Sequence, residues 1–189
     1  MQMLVTPANS ATIAAVRVDA VPAFTSRLEE EVVGLFDRLR NPLLRYLLSF
    51  RTPIQDAEEI VQEVFLALFR HLSMGKSRSN LQAWTFTVAH NLALKNRLRG
   101  QRQVSGDNAD RADTAQGPED YAVARQRQQR LMAVVRALPE QDQCCLSLRA
   151  EGLRYREIAA VLGISLGSVA NSLERSLARV ARADSLGRP

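Results

Sequence analysis

Cysteine is nearly missing from this sequence: Cys144 and Cys145 are the only two in 189 residues, and they are adjacent. Neighbouring cysteines suit an ordinary disulfide poorly, and no CxxC spacing exists for zinc, so a disulfide framework and a structural zinc site are both excluded. Aromatic residues are sparse, at 5%. No apolar run reaches the ~18 residues needed to span a bilayer, so no stable membrane insertion is expected. Residues 1–24 lack an early Lys/Arg cluster, and Asn9, Ser10, Arg17 and Asp19 interrupt their apolar residues. The segment therefore does not read as a secretion signal, and a cytoplasmic protein is expected. Paired His/Cys/Asp clusters, nucleophile motifs and phosphate-binding glycine loops are missing as well, which disfavours an enzyme; no catalytic residue, metal or cofactor is expected. Period-two strand patterns are short and Gly-Pro turn pairs absent, so the fold class is all-α.

What is present is 46% hydrophobic residues, too many for a disordered chain, and a formal charge of +5 distributed very unevenly. Residues 56–63 carry −4, through Asp56, Glu58, Glu59 and Glu63. The next segment, 64–106, carries +7 and no acid at all, through Arg70, Lys76, Arg78, Lys95, Arg97, Arg99 and Arg102. A block of one positive sign is the electrostatic footprint of a polyanion-binding surface, or else a solvated helix face. The acidic block would repel nucleic acid and suit a basic protein surface, while also favouring a helix N-terminus.

Helical periodicity begins at Ser26, with Leu28, Val32, Leu35, Phe36 and Leu39 at three- and four-residue steps; Asn41-Pro42 then reads as a cap before a second helix over 43–50. Thr52-Pro53-Ile54-Gln55 reads as a capping box opening a helix to about Leu72. Its apolar stripe is Ile54, Ala57, Val61, Val64, Leu68 and Leu72, which leaves Glu58, Glu59, Gln62 and Glu63 largely on the solvent side. A basic, glycine-containing loop, 73–79, precedes Asn80, a cap for a helix over 81–100. There Leu81, Trp84, Phe86, Val88, Leu92 and Leu98 supply apolar surface, and Asn91, Lys95, Asn96 and Arg99 a face that can meet phosphates.

Residues 103–117 have the composition of a flexible linker between two small helical domains. Beyond it, helices open at Pro118 and Pro139, and a helix pair closes the chain. Tyr155 to Val161, a turn at Leu162-Gly163-Ile164, and a helix capped by Ser165 have helix-turn-helix spacing. Ala159 is small enough for close approach, Gly163 allows a positive φ, and Val169 fills the contact between the helices. If this pair binds DNA, its second helix leads into the major groove, with Ser165 and Ser168 toward phosphate and Asn171, Ser172 and Arg175 toward bases or backbone.

The stretches DAEEIVQEVFLALFR (56–70), NLQAWTFTVAHNLALKNRLR (80–99) and LPEQDQCCLSLRAEGLRYREIAAVLGIS (138–165) resemble conserved regions two and four of bacterial sigma factors. The two-domain layout is similar to that of the extracytoplasmic-function (ECF, group 4) members of the sigma-70 family. The resemblance implies a flexible tail (1–25), a region 2 domain (26–102), an acidic linker (103–118), a region 4 domain (119–183) and a C-terminal tail (184–189). It implies a bacterial, cytoplasmic protein that binds core RNA polymerase, with Asp56, Glu59, Gln62 and Glu63 on the clamp helices of the β′ subunit. It further implies that the loop 75–80 and the helix after it hold the melted, non-template strand of the promoter minus-ten element. The residues for that role are Lys76, Arg78, Asn80, Trp84, Asn91, Lys95 and Arg99, with one flipped base needing cationic guidance and a stacking wall. Trp84 is equally open to a reading as plain core.

Region 4, on the same resemblance, reads the double-stranded minus-thirty-five element through Ser165, Ser168, Asn171, Ser172 and Arg175 and touches the β flap. An anti-sigma factor that clamps both domains is a possible further partner. Two other classes are open: a helix-turn-helix regulator acting on duplex DNA alone, which has no use for the acidic patch, and a helical adaptor that mimics a sigma factor, which has no use for the basic stretch. The two cysteines read as buried core rather than as a redox pair.

Overall fold

A computed structural model describes residues 23–101 and 119–185. Among the described residues are seven α-helices and no strand: α1 (Ala23–Ser49), α2 (Ile54–Ser73), α3 (Leu81–Gln101), α4 (Glu119–Arg136), α5 (Glu140–Ala150), α6 (Tyr155–Leu162) and α7 (Leu166–Ser185). The expected linker, 103–118, and the outer parts of the expected tails lie outside the described residues. At the inner ends of those tails, helix reaches further than expected, starting at Ala23 and ending at Ser185.

The break expected at Asn41-Pro42 does not occur, and Pro42 lies inside α1. A proline there lacks the N–H of the helical ladder and costs about 3 kcal/mol. The helix continues because its apolar stripe stays in phase across it: Leu28, Leu35, Leu39, Leu43, Tyr46, Leu47 and Phe50 are all buried. A change of direction at residue 41 would turn Leu43, Tyr46 and Leu47 off the core. The helix ends instead at Ser49 and is closed by Arg51, whose φ of +59° is left-handed, with Arg51 N–H donating to Leu48 O (3.0 Å) and Thr52 N–H to Leu47 O (3.1 Å). That paired closure is a Schellman motif. Thr52 is thereby committed to α1, Pro53 becomes the N-cap of α2 without any side-chain bond, and the expected capping box does not form.

On α2 the buried face is wider than the expected stripe, because Ile60 and Phe65 join it, while Ile54 stays exposed. Phe65 meets the Phe36 ring of α1 edge-on at 4.9 Å. On α3 the buried face consists of Ala83, Thr85, Phe86, Ala89, His90 and Ala93, and Leu98 is 63% exposed. Alanine at 83, 89 and 93 keeps much of this face low where α3 is approached by α2 and by α6.

The second half forms around Leu138, Cys145, Leu148, Leu153, Ile158, Val161, Val169 and Leu173, all at most 4% exposed. Gly163 has φ +65° and closes α6 through the bond from Ile164 N–H to Ala159 O (3.1 Å). The turn expected from sequence is present, with Val169 wholly buried beneath it. The two halves pack together, α5 against α1 and α6 against α3, and their buried residues form one continuous apolar cluster. Among the described residues, no helix is long and apolar enough to cross a membrane.

Candidate functional site

Three exposed faces carry the residues singled out from sequence. The first is on α2. Glu58, Glu59, Gln62 and Glu63 are exposed and Asp56 half-buried, opposite the face that packs on α1 and α3. At 100° per residue, Asp56, Glu59 and Glu63 fall in one row, and Glu58 and Gln62 turn toward α1. There they line a groove of about 330 Å³ with Phe36, Arg40, Leu44 and Val61. Arg40 lies 4.0 Å from Glu58. Leu66, 58% exposed, sits one turn beyond Gln62 and Glu63, and sequence reasoning passed over it. The available signal was that a leucine stands off the apolar stripe.

The second face joins the loop after α2 to the outer side of α3. Gly75, at φ +67°, closes α2 through Gly75 N–H to Leu72 O (3.0 Å) and Lys76 N–H to His71 O (3.3 Å). His71 Nε2 and Ser77 O, 2.9 Å apart, hold the loop to the helix end. Asn80 caps α3 as expected: its Oδ1 accepts from Ala83 N–H at 3.4 Å. Along α3, Trp84, Asn91, Lys95 and Arg99 fall within about 80° of one another, and the last three are exposed. Trp84 is half-buried, and its ring meets that of His71 at 4.6 Å in a tilted arrangement. Two cations of the acid-free stretch are already engaged. Arg78 Nε bonds the Glu31 carboxylate at 3.2 Å, and Arg97 pairs with Glu140 of α5 while lying over the Phe50 ring at 5.5 Å. Lys76, Lys95 and Arg99 remain exposed.

The third face is the outer side of α6 and α7. Ser165 caps α7, its Oγ accepting from Ser168 N–H at 3.1 Å, and Asn171 is exposed beyond it. Ser172, expected to face DNA, is wholly buried and needs correction: its Oγ meets Gln141 Nε2 at 3.2 Å, against α5. The reason is packing, since a small hydroxyl residue lets α7 lie close to α5. Arg175 is exposed but turned inward to Asp142, with Nη2 to Oδ1 at 2.9 Å. Burial pushes the Asp142 carboxyl up, yet its bonds from Arg175 and Ser172 outweigh that and hold it below the usual range. The exposed Arg149, Arg154 and Arg156, with Arg149 over the Tyr155 ring at 6.0 Å, flank the N-terminus of α6 and escaped the sequence reading. The Arg-Tyr-Arg run at 154–156 was the signal for them.

Between the halves lies a buried polar cluster. The Tyr46 hydroxyl and His90 Nδ1 are hydrogen-bonded at 2.7 Å, and the Cys144 thiol adjoins the hydroxyl. Burial raises the tyrosine, lowers the histidine and pushes the thiol up to about 12, so all three are neutral near pH 7. Cys144 and Cys145 are free and buried, as expected.

Comparison with known proteins agrees with this layout. Residues 35–104 match the family described as Sigma-70 region 2, and residues 128–180 the one described as Sigma-70, region 4. The RNA polymerase sigma factor YlaC of Bacillus subtilis is 25% identical over 152 residues, covering 78% of this chain and 88% of its own. The ECF RNA polymerase sigma-E factor of Escherichia coli K12 is 29% identical over 143 residues, covering 69% and 74%. Among solved structures, RpoE of Bartonella quintana, in complex with the anti-sigma factor NepR, has a similar fold at TM-score 0.58 and 20% identity, covering 87% of this chain and 98% of that one. CnrH, in complex with the cytosolic domain of CnrY, is similar at TM-score 0.55 and 22% identity, covering 82% and 87%. With the motifs of both regions in order on the helices that present them, this chain belongs to the sigma-70 family and has the two-region layout of its extracytoplasmic-function members.

Proposed function

We propose that this chain is a promoter-specificity subunit: it binds core RNA polymerase in the bacterial cytoplasm, directs it to particular promoters and stabilises the melted minus-ten region. The observation that carries this is the pairing of two opposite surfaces on adjoining helices, an acidic row on α2 and a cationic, partly aromatic face on α3. The acidic row suits the basic, protein side of a clamp coiled coil. The loop 76–80 with Trp84, Asn91, Lys95 and Arg99 suits an unstacked single strand, where cations follow the backbone and a ring stacks a base.

In this reading residues 26–102 form the region 2 unit and 119–183 the region 4 unit, joined by the acidic linker. Ser165, Ser168 and Asn171 approach the minus-thirty-five duplex, and Arg149, Arg154 and Arg156 follow its phosphates from the first helix of the pair. The β flap and an anti-sigma factor are the remaining partners. Catalysis belongs to the polymerase.

The test is transcription from a promoter library by core polymerase with and without this protein, alongside two variants. Glu59→Lys with Glu63→Lys should abolish co-purification with core while leaving helicity and Tm unchanged. Lys95→Ala with Arg99→Ala should keep core binding and lose open complexes. A protein that yields no new start sites, yet shifts duplex DNA without core, is a plain helix-turn-helix regulator instead.

A further inference from the structure

The outward row of α7 carries no cation. At 100° per residue, Gly167, Asn171, Glu174 and Ala178 fall within about 60° of one another, opposite the buried row of Val169, Ser172, Leu173 and Ser176. All four are exposed, and only Asn171 and Glu174 project polar groups. Neither is engaged by another side chain among the described residues. The neighbouring cation, Arg175, is turned away: its Nη2 donates to Asp142 Oδ1 at 2.9 Å and its Nε to Asp142 Oδ2 at 3.4 Å. Asp142 is 1% exposed, so releasing the guanidinium would strand a buried carboxylate, a cost that keeps the pair closed.

We propose, resting on the reading of α6 and α7 as the pair that binds the minus-thirty-five duplex, that Glu174 is a specificity-determining residue. It selects cytosine at one base pair while Asn171 selects adenine at the next, and Asp142 is the positioning residue that holds Arg175 out of this readout. The physical basis is the donor and acceptor pattern of the major groove. A carboxylate only accepts. Guanine faces it with two acceptors and thymine with one, so both repel it; adenine sets its N7 acceptor beside its amino group; cytosine presents an amino donor with no acceptor of its own beside it. The Asn171 amide both donates and accepts, which matches N7 and the amino group of adenine. The two side chains start about 4.5 Å apart along the helix axis, close to the ~3.4 Å step between base pairs, so they meet adjacent pairs. Attraction to phosphate comes from the exposed Arg149, Arg154 and Arg156 around the start of α6, which leaves α7 free to carry an acid.

The experiment is transcription by core RNA polymerase with the full chain, on a promoter library randomised upstream of the start site. Templates that yield RNA are sequenced, and base preferences are compared between wild type and variants. Glu174→Gln replaces the carboxylate by an amide, which pairs with adenine; Asn171→Arg replaces the amide by a guanidinium, which pairs with guanine. Arg175→Ala removes the held cation, and Asp142→Asn lets it go. A preference is a ratio of bases among recovered templates, so a variant that grips all DNA more or less tightly leaves it unmoved.

Wild-type templates should share an adenine and, at the adjacent base pair, a cytosine. Glu174→Gln should shift the second position from cytosine to adenine by about tenfold and leave the first unchanged. Asn171→Arg should shift the first from adenine to guanine by a similar factor. Arg175→Ala should change neither ratio, whereas Asp142→Asn should add a guanine preference that the double variant with Arg175→Ala loses again. A cytosine preference that survives Glu174→Gln would overturn the role of Glu174, and Asp142→Asn without new guanine would overturn that of Asp142. If the protein yields no start site with core polymerase, the promoter reading itself has failed; start sites whose upstream bases ignore every variant sink only the base readout.

Discussion

Replacing Pro42 by alanine should stabilise this protein. Pro42 lies inside the 27-residue helix α1, where its ring denies the ladder one N–H and crowds the carbonyl a turn back, a cost of about 3 kcal/mol. Alanine removes that cost. Against it stand two smaller losses: about 0.4–1 kcal/mol from the freer unfolded chain, and some apolar contact from the half-buried ring. The net gain is about 1–2 kcal/mol, which for a chain of this size raises Tm by roughly 2–8 °C. Thermal unfolding followed by circular dichroism measures it, and amide exchange supplies a local readout, because the new N–H at position 42 should be protected along with its helical neighbours. Were the chain instead to break at Asn41, with Pro42 in the first turn of a new helix, alanine would be neutral or mildly destabilising and its amide would exchange freely. A Tm that falls, or an unprotected amide, refutes the continuous helix.

Arg175→Ala should lower Tm by a few degrees in the wild type and by much less in an Asp142→Asn background, because the guanidinium serves mainly to balance a buried carboxylate; weaker DNA binding at unchanged Tm would return Arg175 to the recognition surface. Gly163→Ala should cost about 1 kcal/mol by denaturant unfolding; the added Cβ meets nothing within 4 Å, so the penalty is that of the left-handed backbone at φ +65°, and an equal loss for Gly34→Ala would point elsewhere. Burial depresses His90 below its ordinary 6.5 in the folded chain, so its contribution to stability is complete above pH 6.5 and is lost as pH falls through the lower folded value. Unfolding curves between pH 7.5 and 5 should show that decline, and His90→Gln should flatten it; a decline identical in the variant would assign it to other groups.

Much of this architecture was legible because periodicity and cap chemistry agreed. Gly163, Ala159 and Val169 marked the helix pair, and Asn80 the start of α3. The misreadings share one cause, the override of local signals by packing. Asn41-Pro42 is a sound helix start in isolation, but a stripe already in phase outweighed it. Thr52 is a good cap, but its N–H was needed to close the preceding helix. Sequence spacing on α7 points Ser172 and Arg175 outward. Neither the burial of one nor the inward turn of the other can be seen without Asp142 and Gln141, three dozen residues away or fewer. The contacts between the halves were illegible for the same reason: no local pattern pairs Arg45 with Glu151 or Asn80 with Glu157.

The inward turn of Arg175 also sets how this protein should respond to ionic strength. Each cation that neutralises a DNA phosphate releases counterions and steepens the fall of affinity with salt. With Arg175 held by Asp142, the leading turns of α7 offer Ser165, Ser168, Asn171 and the acidic Glu174, so their contact with duplex DNA releases few ions. Lys76, Lys95 and Arg99 are exposed on the face proposed to hold the melted strand. With Arg149, Arg154 and Arg156 carrying the proposed phosphate contacts from around the start of α6, the salt dependence of upstream recognition should be set there, flattening when those arginines are replaced and barely changing with substitutions on α7.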